Sequence, residues 1–149
     1  MFNFHKMYIK FNIQYLLSYL GLIPLIYLIV NKYYFFQINE ITSHSFTIYY
    51  TLIIFVFIGA TNWNLNKKID NLLAFYGFLP SLISVFIITL DLLGYSKTLL
   101  LLFIIFSLSL QLIFDYYFIY SKDTNKKTFF LVRLPLTLII NIILVIILN

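Results

Sequence analysis

Along this chain the polar residues gather in short intervals, and between them apolar residues run on without the polar face that an amphipathic helix of a soluble domain would show. A helix needs about 20 mostly apolar residues to cross the hydrocarbon core of a bilayer. Five stretches reach or approach that length: 13–30, 46–63, 72–90, 98–120 and 129–148. The pattern predicts an all-α fold. It is that of a polytopic membrane protein, a bundle of five transmembrane helices forming a single integral-membrane helical domain over residues 1–149.

Composition strengthens this picture. The chain is 62% hydrophobic and only 10% charged, whereas soluble domains carry about 25% charge. A net charge of +5 would suggest nucleic acid in a soluble protein, but in a membrane protein basic residues mark cytoplasmic segments, so no nucleic-acid partner is expected. With the N-terminus inside, the inner segments hold Lys6, Lys10, Lys67, Lys68, Lys122, Lys126, Lys127 and Arg133, and the outer ones Lys32 and Lys97. Eight against two predicts the N-terminus inside and the C-terminus outside. The first span is preceded by basic residues but lacks a small-residue cleavage site after Val30, so it reads as a retained anchor. The aromatics at 33–36, with Tyr116, Tyr117 and Tyr120, fall where an interfacial belt belongs.

The residue usage is dominated by Ile, Asn, Lys, Phe and Tyr, all encoded by AT-rich codons, which makes individual Phe and Tyr weak signals. Residues from GC-rich codons are scarce and concentrate in short motifs around Gly21, Pro24, Gly59, Ala60, Trp63, Gly77, Pro80, Arg133 and Pro135. Pro24 and Pro80 lie inside spans, where each frees a backbone carbonyl that a neighbouring helix, hydroxyl or water must satisfy. Gly59 and Ala60 allow close helix approach. Pro135 falls near the first turn of the fifth span, where its missing N–H costs little. Tyr-Leu-Gly-Leu-Ile-Pro ending at Pro24 echoes Phe-Tyr-Gly-Phe-Leu-Pro ending at Pro80, either as an internal repeat or as two independent kinks.

Asp115 is the deepest carboxylate, and an ionisable residue within a span is a functional candidate by default, because its insertion costs about 2.5–3.5 kcal/mol. Helical rise places it some 8 Å inside the end of the fourth span, and places Arg133 some 6 Å inside the fifth, on the same side. The matching depths suggest an Asp115–Arg133 pair, with Asn62, Trp63 and Asn64 of the second span close by. The competing expectation is that Arg133 snorkels to the headgroups while Asp115 turns toward the loop lysines. His5 and His44 fall on opposite sides of the membrane and cannot share a metal, so no metal site is expected. The lack of cysteine removes disulfides, thiolate metal sites and cysteine nucleophiles. No zinc-protease helix motif, nucleophile elbow or phosphate-binding loop occurs. Neither an enzyme nor a cofactor is expected.

Taken in order, Gly-Leu-Ile-Pro at 21–24, Phe-Ile-Gly-Ala-Thr-Asn-Trp-Asn at 57–64, Leu-Pro-Ser-Leu-Ile at 79–83, Asp115 and Arg-Leu-Pro-Leu-Thr at 133–137 resemble the uncharacterised five-span family called domain of unknown function 3429, related to mitochondrial transmembrane protein 69. The resemblance covers about Gln14 to Val145. It implies a bacterial inner-membrane location, with the mitochondrial inner membrane as the alternative. The family usually shows Phe-x-Gly-Gly-x-His-Trp-Gly at 57–64; here Asn62 stands at the histidine, Ala60 at the second glycine and Asn64 at the last. Asparagine keeps hydrogen bonding but neither titrates near neutral pH nor ligates metal as imidazole does. No established activity accompanies the family.

The expectation for function is a scaffold or assembly subunit acting through protein or lipid contacts, its partners being membrane lipids and a membrane-protein partner or a second copy in a homo-oligomer. The alternative is a small-solute or proton transporter using Asp115.

Overall fold

A computed structural model of the protein describes residues 13–61, 71–120 and 126–149. The described residues are helical throughout their spans, with no strand among them. Helices α1 (Ile13–Leu20) and α2 (Ile23–Val30) form the first span with a π-helical extension, Asn31–Phe35. Next come α3 (Glu40–Ala60), α4 (Asn71–Leu92) and α5 (Lys97–Asp115), the last continuing as a π-helix over Tyr116–Tyr120. A single turn, α6 (Lys126–Thr128), and a π-helical stretch, Phe129–Arg133, lead into α7 (Leu134–Leu148). Among the described residues five helical spans are long and apolar enough to cross a membrane: Tyr15–Phe35, Glu40–Ala60, Asn71–Leu92, Lys97–Ile119 and Lys126–Leu148. This is a multi-pass membrane protein.

Local chemistry sets the ends. Asn39 caps α3, its side chain accepting from the Thr42 amide at 2.7 Å, and Glu40 adds a negative charge to the positive end of the helix dipole. That cap starts the second span at Glu40 rather than at position 46, since polar side chains at 40–45 do not prevent a helix whose first turn is already satisfied. α4 ends in a Schellman turn: Gly94 adopts φ 83°, its N–H bonds Asp91 O, and the Tyr95 N–H reaches back to Leu90 O at 3.1 Å. The first span ends where Phe36 enters the left-handed region at φ 52°, held by its N–H on Asn31 O and by the Ile38 N–H on the buried Asn31 side chain.

The helices meet along stripes spaced three and four residues apart, as in left-handed bundles. α3 presents His44, Ile48, Thr51, Phe55 and Gly59; α4 presents Tyr76, Pro80, Ser84, Ile87 and Asp91; α5 presents Leu101, Ile104, Leu108, Gln111 and Asp115; the fifth span presents Arg133 from its π-helical stretch and Thr137, Ile140, Leu144 and Ile147 from α7. α3 packs on α4, α5 and α7; α5 also packs on α4 and α7; α2 packs on α7. Leucine and isoleucine fill the middle of the core, and most buried polar side chains lie toward its two ends. At most 39% of any span's most apolar stretch is buried inside the protein. Most of the remainder, including Phe57, Phe75, Val85, Phe106 and Ile142, turns outward and suits a lipid surface.

The proline motifs resolve differently from one another. At Gly21 and Leu22 the first span breaks into a turn, and the Tyr50 hydroxyl donates to Gly21 O at 2.8 Å. Pro80 sits inside a continuous α4, so the echo between the two motifs does not extend to a shared local structure. Pro135 is not near the first turn of the fifth span, which begins at Lys126. It follows a π-helical stretch instead, and the carbonyl its missing N–H frees, Leu131 O, accepts the Tyr19 hydroxyl at 2.6 Å. Gly59 is buried against α4: a methyl group there would lie 2.7 Å from both Gly77 O and Pro80 Cγ. Ala60 faces outward, because it lies about 100° round the helix from Gly59 and so leaves the contact stripe.

Candidate functional site

The deepest polar cluster joins α4, α5 and α7. Gln111 and Asp115 lie one turn apart on α5, and Arg133 and Thr137 one turn apart across the start of α7, so each pair occupies one face of its helix. Arg133 Nε donates to Asp115 Oδ2 at 2.5 Å. Its other two nitrogens donate to Gln111 Oε1 at 3.0 Å and Thr137 Oγ1 at 3.1 Å, while the Thr137 hydroxyl donates to Arg133 O. From α4 the Tyr76 hydroxyl lies 2.6 Å from Asp115 Oδ1 and 3.1 Å from Gln111 O. Asp115 is 1% exposed and Arg133 7%. A pair this buried is held by geometry, since the loss of hydration on both ions offsets much of their attraction. Gln111 Nε2 is buried without a protein partner.

The helices bend from regular α geometry at this cluster. Asp115 is the last α-helical residue before the π-helix of Tyr116–Tyr120, and Arg133 is the last residue of the π-helix before α7. Pro80 lies one turn beyond Tyr76. The wider π turn rotates the residues that follow it relative to an unbroken α-helix, and such segments recur at functional sites. Here one follows Asp115 directly and the other ends on Arg133, so both border the ion pair.

A second cluster occupies the opposite end. Asp91, near the end of α4, accepts from Lys97 Nζ at the start of α5 and from the Tyr49 hydroxyl of α3, the latter at 2.6 Å. Beside it, Lys32 Nζ donates to Ile146 O and Ile147 O at 3.3 and 3.1 Å, and His44 Nε2 lies 3.1 Å from Ile147 O. A cation on the last carbonyls of α7 complements the negative end of that helix dipole. Among the described residues no three His, Cys, Asp or Glu side chains cluster as a metal site.

Of the residues singled out from the sequence, Asp115 and Arg133 come together as a direct pair, with Arg133 buried rather than snorkelling. Gly59, Gly77 and Pro80 meet in the α3–α4 contact on the same side of the bundle. Gly21 and Pro24 mark the break in the first span. Asn62, Trp63, Asn64 and His5 lie outside the described residues. Sequence reading missed Tyr76, Gln111 and Thr137. Gln111 and Thr137 were visible as polar residues one turn from an intramembrane charge, but Tyr76 was hidden among the chain's 13 tyrosines. Tyr19, Tyr49 and Tyr50 were set aside for the same reason, yet all three donate to other helices.

No family model, curated protein or solved structure matches the chain.

Proposed function

We propose that the protein is a non-enzymatic scaffold or assembly subunit of a larger membrane complex, acting through protein or lipid contacts. The observation supporting this is the inward closure of the Asp115–Arg133 cluster. The carboxylate and guanidinium spend their bonds on each other, Tyr76, Gln111 and Thr137, and so fix three helices while large apolar side chains cover the outer faces. Small residues and internal polar clamps of this kind hold helices in register without a hydrophobic driving force between them. The proposal includes the orientation with the N-terminus inside, a bacterial inner membrane before a mitochondrial one, and kinship with the five-span family named above. Purification of the tagged protein in mild detergent, with mass analysis of the native particle, tests it. A reproducible stoichiometric partner supports the scaffold; a lone particle overturns it. A reporter fused after Asn149 and active only in the cytoplasm overturns the orientation.

A second reading, a small-solute or proton transporter, is favoured by one specific observation: the chain departs from α geometry on both helices that supply the buried ion pair. Broken helices around a buried charge are a feature of transporter sites. Flux in liposomes that disappears in Asp115→Asn supports it. Flux equal to that of empty liposomes counts against it.

A further inference from the structure

We infer that a file of buried polar side chains connects Asp115 at one end of the bundle to Asp91 at the other and carries protons through waters held along it. The inference rests on the transport reading and goes beyond it by assigning the route, its species and its second carboxylate.

The file follows from register. On α5, Asp115, Gln111 and Ser107 are stacked one turn apart, and all three are buried. The antiparallel contacts of α4 with α5 pair Tyr76 with Gln111 and Asp115 at one end and Asp91 with Lys97 at the other, so Ser84 of α4 falls level with the Phe103–Ser107 turn of α5. The contacts of α3 with α4 pair Gly59 with Gly77 and Pro80, and Tyr49 with Asp91. Thr51 of α3 therefore lies level with Ile87–Thr89, one turn from Ser84 and beside the Asp91 cluster. Successive polar groups are thus separated along the axis by about one helical turn, between about 4 and 7 Å, gaps that one or two waters span, and the file from Lys97 to Asp115 is about 27 Å long, close to the roughly 30 Å hydrocarbon core.

An independent observation falls on the same line. Gln111 Nε2, Ser84 Oγ and Thr51 Oγ1 are each buried without a protein partner, whereas the neighbouring Ser107 hydroxyl returns its proton to Phe103 O. A buried polar atom without a partner is costly and is the usual seat of an internal water. Three such atoms, one on each of α3, α4 and α5, lie between the two carboxylates. Asp115 takes a proton onto a carboxylate oxygen and passes it to the first water; each water or hydroxyl accepts a proton on a lone pair as it releases its own, and Asp91 takes up the last proton and releases it at the far end. One proton enters, one leaves and no heavy atom moves. The groups facing the two carboxylates are Tyr76, Gln111 and Arg133 at Asp115, and Tyr49 and Lys97 at Asp91.

The test reconstitutes the full chain in liposomes containing a pH-sensitive dye and drives protons with a potassium gradient and valinomycin. The wild type should acidify the lumen faster than protein-free vesicles. Thr51→Val and Ser84→Ala, which remove one hydroxyl each, should slow it by about tenfold or more, the consequence of a barrier raised by roughly 1.4 kcal/mol, while Thr51→Ser keeps the rate. Each variant is compared at equal yield of particles eluting as the wild type does. Flux lost in Asp115→Asn but retained in Thr51→Val and Ser84→Ala overturns the route and leaves the transport reading standing. A wild type no faster than empty vesicles overturns route and proton transport together.

Discussion

The two ends of the bundle hold a carboxylate, a cation and a tyrosine in nearly the same arrangement, and they differ in how far apart in sequence and how deep the partners lie. At one end Asp115 and Arg133 come from different spans, and both side chains are less than one-tenth exposed. At the other, Asp91 and Lys97 flank one tight turn, and the lysine side chain is 28% exposed. The Schellman turn at Gly94 brings the second pair together with little help from the fold. The first pair exists only if α5 and α7 pack in the observed register. The same chemistry therefore fastens a turn at one end and the tertiary structure at the other.

The sharpest way to break the comparison is to remove one cation from each end. Arg133→Met leaves Asp115 buried and unpaired and should cost about 3–5 kcal/mol, whereas Lys97→Met leaves the buried Asp91 bonded to Tyr49, with solvent able to enter where the 28%-exposed lysine stood, and should cost less, about 1–2 kcal/mol. Reversible SDS titration of the folded protein in mild detergent measures both; equal losses would erase the distinction. The double variant Asp115→Leu with Arg133→Met should recover most of the loss of the single one, since no charge is then stranded.

Glycines offer a second contrast. Gly59→Val drives a side chain into Gly77 O and the Pro80 ring and should cost about 2–3 kcal/mol. Gly94→Ala meets no atom within 4 Å and should cost only about 1 kcal/mol, through its positive φ alone. Thermal unfolding followed by size exclusion ranks them. Tyrosines sharpen the contrast further: Tyr76→Phe takes a donor from a buried carboxylate and should cost about 1–2 kcal/mol, while Tyr49→Phe should cost about 0.5 kcal/mol, near the average for hydrogen bonds within membranes. The smallest effect is that of salt. Raising ionic strength should shrink the cost of Lys97→Met and leave that of Arg133→Met unchanged, as measured by the same titration at low and high salt.

The candidate site was partly legible before the fold was known. Asp115 and Arg133 stood out because charges inside apolar runs are expensive, and matched depths alone pointed to a pair. Tyr76 was illegible, for one tyrosine in a tyrosine-rich chain looks like any other until a carboxylate is placed 2.6 Å from it. The π-helical stretches were illegible too, since they carry no propensity signature of their own. Reading Pro135 as a helix start was correct for α7 and wrong for the span, because Lys126–Thr128 already forms a helical turn.

What the sequence determined by itself is the solvent and the element type. Long apolar runs must enter a bilayer, and a backbone in hydrocarbon must satisfy its hydrogen bonds within its own helix, so five such runs mean five helices whatever their neighbours. What only the tertiary structure decided is which side of each helix turns inward. Lipid and protein interior are equally apolar, so hydropathy does not separate a core leucine from a lipid-facing one, and the choice falls to the close α3–α4 contact at Gly59 and to buried polar groups that must find each other.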